Sequence, residues 1–224
     1  MTFLEGVQKL RLLCSISGAG PSAVTGQAGE SERLITWYGM ANDEIADRWT
    51  DWKFLRSTGN SMDTVAAQAT LAVGDTGFPT DLADWDIDSF KLDGNSIEVI
   101  DYSQYEYDAV TTQATPSRVI VNPDNSLLFD PVPDSALALT FDYRKTPTVL
   151  AADTDTPDIP DQYQMAIIGR AMMYYADFEN APEFKTTGAE IYAENLSRLE
   201  LSQLPFHSQM GRKSEGADIT VIVE

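Results

Sequence analysis

The chain holds one cysteine, Cys14, and one histidine, His207, among its 224 residues. One cysteine allows no internal disulfide and nothing points to an oxidising compartment. No Cys/His cluster offers a zinc site, and no segment has the pattern of a twelve-residue calcium loop. A Ser-His-Asp or Cys-His arrangement would have to be built around His207. That residue lies in Pro205–Gly216, a stretch without periodicity that is a poor support for preorganised catalysis. Basic residues are also scarce, 15 against 35 acidic, for a formal net charge of −20. Such a surface repels nucleic-acid phosphates and anionic membranes, and no basic cluster offsets it. No run approaches the roughly twenty apolar residues of a membrane span. In the leucine-rich start TFLEGVQKLRLLCS, Glu5, Lys9 and Arg11 interrupt the apolar run. Leu13 is too large for the residue before a lipoprotein-type cysteine, so no targeting peptide is expected.

Segments that imitate chemical motifs fail on inspection. The glycine-rich stretch SGAGPSAVTGQAGE contains no lysine and follows no strand, which excludes a phosphate loop and leaves a mobile loop. Four carboxylates, Asp81, Asp84, Asp86 and Asp88, fall within eight residues and read as a solvated acidic loop. With so many carboxylates in the chain, two that could meet as a glycosidase pair are no signal. Asn195-Leu196-Ser197 matches a glycosylation sequon but sits in a helical pattern. No cofactor and no metal site is expected.

What the chain does contain is helical pattern at both ends. Thr2 and Glu5 form a capping box, after which Phe3, Val7, Leu10 and Cys14 make one apolar stripe. Cys14 on that stripe is a small core hydrophobe. A second helix is expected from Ser31 to Trp52, with Leu34, Ile35, Tyr38, Ile45, Trp49 and Trp52 at helical spacing. Glu44 and Arg48 could pair along it. Residues 157–205 read as two helices in tandem. Asp158, Pro160 and Asp161 mark the start of the first, and Asn180 with Glu183 a capping box at the second, with Pro182 in its opening turn. The first of the pair is apolar on nearly every side. Tyr163, Ile167, Ala171, Tyr174 and Phe178 form one face, and Met165, Ile168, Met172 and Tyr175 occupy others. A helix of that kind is buried on several sides.

Between these helices the period changes to two. Val65–Val73 reads as a half-buried strand. Ser89–Leu92 and Ser96–Ile100 flank Asp93-Gly94-Asn95 as a hairpin, and Arg118–Val121 and Leu127–Phe129 flank a longer turn. Leu137, Leu139, Phe141 and Tyr143 alternate with polar or small residues. The fold class expected is α+β: a helical bundle of about four helices, an inserted small antiparallel β domain and an extended C-terminal arm. Residues 1–60 and 151–204 would supply the helical base, 61–150 the β domain and 205–224 the arm. The arm ends in Ile219, Thr220, Val221, Ile222 and Val223, a strand-like segment with no sequence neighbour to pair with, so it needs an edge elsewhere.

The order of elements resembles the head-to-tail adaptor proteins of tailed bacteriophages over about residues 2–205. The likeness rests on Asp51-Trp52-Lys53-Phe54-Leu55 closing the second helix and on the segment Phe141 to Leu150, with its Tyr143-Arg144-Lys145-Thr146-Pro147. It rests also on Ile159-Pro160-Asp161 leading into Ala171, Tyr174 and Tyr175. The resemblance implies a structural virion protein without enzymatic activity. It would be made in the host cytoplasm and placed in the neck as a ring, usually of twelve copies, between the portal protein and tail or nozzle proteins. Packaged DNA would pass through the ring without specific binding. Helices would form the ring wall, the β domain would face outward or toward the tail, and residues 219–223 would add as a strand to the portal. Twelve copies would carry a formal charge of about −240, suited to a lumen that phosphates slide past.

Two other readings stand beside this one. A carbohydrate-binding or hydrolytic protein could use Tyr102, Tyr105 and Tyr107 with neighbouring acids on the β domain. Another virion ring component, such as a tail-completion protein, would share the same sequence features.

Overall fold

The computed structural model describes residues 1–104 and 112–205. The protein is α+β, with four α-helices and two four-stranded sheets among the described residues. It divides into two compact units, Met1–Leu55 together with the chain from Pro147 on, and Arg56–Thr146.

The first unit holds α1 (Phe3–Leu13), α2 (Glu30–Asp47), α3 (Met165–Glu179) and α4 (Pro182–Gln203). The Thr2–Glu5 capping box forms, and Phe3, Val7, Leu10 and Cys14 are all buried. The glycine-rich connection to α2 is anchored. Val24 is buried and its N–H donates to the Asp153 carboxylate at 2.6 Å, while Gln8 Nε2 donates to the Pro21 carbonyl at 3.1 Å. α2 stops five residues earlier than its spacing predicts. The chain then turns so that Trp52 packs back and its Nε1 donates to the Ile45 carbonyl at 3.0 Å, an acceptor it shares with the Arg48 N–H. Trp52 is fully buried and stacks on Phe54, so the tryptophan acts as a core anchor.

α3 is the centre of this unit. Ala166, Ile167, Ile168, Gly169, Ala171, Met172 and Ala176 are buried, against α1, α2 and α4. The polar residue at the α3–α4 corner has a different role from the one its spacing predicts. Asn180 adopts the left-handed conformation (φ 53°) that ends α3, whereas α4 begins after Ala181 without a side-chain cap. Asparagine tolerates that conformation better than most residues, so stopping one helix took precedence over starting the next. α3 and α4 approach closely where Gly169 meets Gly188: a Cβ on either would lie 2.8 Å from the other's carbonyl oxygen.

The second unit contains β1 (Arg56–Asp63), β2 (Thr70–Leu71), β3 (Leu82–Leu92), β4 (Asn95–Ser96), β5 (Glu98–Asp101), β6 (Arg118–Val121), β7 (Leu127–Asp130) and β8 (Ala138–Lys145). The sheets run β1-β8-β3-β4 and β2-β7-β6-β5. Residues from both make one core centred on Trp85, whose ring packs edge-on against Phe78, Phe90, Phe141 and Tyr143. Leu139, Phe141 and Tyr143 point inward along β8 as their alternation requires. Both hairpins form. Asp93 and Gly94 take positive φ (47° and 80°), the two-residue turn suited to strand twist.

Three expectations for this unit are corrected. The β unit is not wholly antiparallel, because β5 pairs with β6 in parallel. β5 leaves the hairpin after Ile97 and crosses to the other sheet, and the sixteen residues from Tyr102 to Ser117 are long enough for the crossover a parallel pair needs. The stretch from Val65 to Val73 supplies only Thr70 and Leu71 to a strand; Ala67 takes a left-handed turn and bonds to the Pro133 carbonyl. The acidic run is no loop. It opens β3, where burial of Trp85, Phe90 and Leu92 against the shared core fixes the strand and turns the intervening carboxylates outward. β4 covers only Lys91 and Leu92 of β3, and the remaining edge carries Asp84, Asp86 and Asp88 together with a bulge. Charge and irregularity there guard against edge-to-edge association.

Candidate functional site

The residues expected to dock a partner, Ile219, Thr220, Val221, Ile222 and Val223, lie outside the described residues, as does His207. Of the tyrosines offered as a sugar platform, Tyr102 is exposed in a short 3-10 turn (Tyr102–Gln104), while Tyr105 and Tyr107 also lie outside the described residues. Among the described residues no group of three or more His, Cys, Asp or Glu side chains could hold a metal ion. No helix among them is long and apolar enough to cross a membrane. Asp86 and Asp142 meet Arg56, the Asp81 carboxylate accepts from Tyr143 Oη at 2.7 Å, and Asp142 accepts from the Gly59 N–H at 2.8 Å. These carboxylates are committed to holding β1, β3 and β8 together.

Charge in the helical unit is likewise used structurally. Glu44 on α2 accepts from Arg170 Nε at 2.7 Å and Tyr174 Oη at 2.6 Å, both on α3. Burial alone would push its carboxyl up. The two hydrogen bonds and the charges of Arg170 and Arg48 outweigh that and hold it below the usual carboxylate range. Glu200 on α4 is buried, and its Oε1 accepts from Arg48 Nε at 3.2 Å and Trp49 Nε1 at 3.0 Å. The spacing of Glu44 and Arg48 predicts a pair along α2. Each instead reaches a different helix, Glu44 meeting Arg170 and Tyr174 on α3 and Arg48 meeting the buried Glu200 on α4. Cys14 is inert: burial, then the nearby Glu30 charge, raises its thiol to about 12.

The helical unit also carries an aromatic cluster that is partly exposed. Trp37 on α2 packs against Phe178 (5.6 Å between ring centroids) and Tyr175 (6.2 Å) on α3, and Tyr175 packs against Phe184 on α4 (5.7 Å). The Arg33 guanidinium lies 4.6 Å over the Phe178 ring. Phe178 and Met40 are about half exposed. Helical spacing predicts Phe178 on the buried face of α3. It lies instead in the last turn of α3, half exposed, against Trp37 and under the Arg33 guanidinium. In the β unit β1 is one of the sheet-end strands, paired only with β8, so among the described residues one row of its backbone groups has no strand partner in the sheet.

No enzyme-like constellation thus occurs among the described residues, while two surfaces suited to contact do. The sequence profile of the SU10 adaptor protein family, a phage head-to-tail adaptor family, matches residues 1–215. The chain belongs to that family. It is therefore a bacteriophage structural protein and a component of the virion, in a family whose members work in contact with portal and tail. No curated protein matches it. For this SU10 adaptor family member, Trp52-Lys53-Phe54-Leu55 and Phe141–Leu150 flank the places where the chain passes from one compact unit to the other.

Proposed function

We propose that this protein is a head-to-tail connector that forms a ring of twelve copies beneath the portal, lengthens the DNA channel and gives the tail its docking surface. Family membership over residues 1–215 is the observation that carries this reading. In it, the helical base (1–60 and 151–204) makes the ring wall, the β insertion (61–150) meets tail or nozzle proteins, and the arm (205–224) reaches the portal. The net charge of −20 per copy suits a lumen through which DNA passes without sticking. The protein acts without catalysis.

Residues Ile219, Thr220, Val221, Ile222 and Val223 dock on a portal β element by strand addition. Their alternation of side chains is that of a strand seeking an edge, and main-chain hydrogen bonds would supply the affinity. The test is a mass measurement of portal rings mixed with the full chain and with a chain ending at Gly216. The full chain is expected to give a complex with twelve added copies, and the shortened chain to stay folded but unbound. Equal binding by both removes the docking role from residues 219–223. Absence of any complex with the full chain overturns the connector reading.

A further inference from the structure

We draw no further inference here: the strongest candidate, the partly exposed aromatic cluster of Trp37, Tyr175 and Phe178 on the helical unit with the Arg33 guanidinium over it, carries nothing because nothing in the structure shows what covers it.

Discussion

Glu44 accepts hydrogen bonds from both Arg170 and Tyr174, and its depressed pKa makes it a contributor to stability that depends on pH. A carboxyl with a lower pKa in the folded than in the unfolded chain stabilises fully above its ordinary value of about 4.3, and the contribution is lost as pH falls through the folded value. Glu44→Gln keeps the side-chain shape but cannot lose a proton. Wild type should therefore be more stable than Glu44→Gln at about pH 7, and the gap should shrink steadily toward about pH 3. With the Glu44 side chain 39% exposed, solvent screening holds the difference near 1 kcal/mol or below. Urea titrations of both proteins across that range check it, and a gap that widens in acid contradicts the assignment.

At the scale of elements, the α3–α4 crossing is set by two glycines. A Cβ on Gly169 would stand 2.6 Å from the Tyr192 backbone nitrogen and 2.8 Å from the Gly188 carbonyl oxygen. Neither atom can swing away as a side-chain tip would, so Gly169→Ala must push the helices apart. Overpacking of this kind costs about 1–3 kcal/mol, which should lower Tm by several degrees. Gly39, in the middle of α2, meets nothing within 4 Å of a built Cβ. There the same substitution should raise stability by about 0.5–1 kcal/mol through helix propensity alone. Thermal unfolding of the two variants side by side separates crowding from propensity.

At the scale of the whole molecule, the uncompensated charge of −20 opposes compactness through self-repulsion. Added salt screens this repulsion and also weakens the exposed ion pairs, such as Lys185–Asp177 and Arg198–Glu194. Exposed pairs contribute only about 0–1 kcal/mol each, whereas the surplus of like charge acts across the whole surface. Raising sodium chloride from about 0.05 M to about 0.5 M should therefore increase Tm. A Tm that falls over that range would mean that the ion pairs outweigh the repulsion.

How far the sequence could be read depended on whether a feature was local. The Thr2–Glu5 cap, the buried stripe of α1, the turn at Asp93-Gly94 and the alternation along β8 follow from neighbours within a few residues, and each forms as the spacing requires. The order of elements, with the segments Asp51–Leu55, Phe141–Leu150 and Ile159–Asp161, likewise carried the resemblance to the adaptor family. Long-range packing decided the rest. Asn180 could stop one helix or start another, and the α3–α4 corner settled which. Glu44 and Arg48 are correctly spaced to pair, yet partners more than a hundred residues away hold them. The acidic run became a strand because Trp85 and Phe90 found a core supplied by both sheets, and β5 joined β6 in parallel because its edge, once past the hairpin, was available to it. Local propensity fixes which residues can turn, cap or alternate; only the meeting of distant side chains determines which of those options is buried, paired or left on the surface.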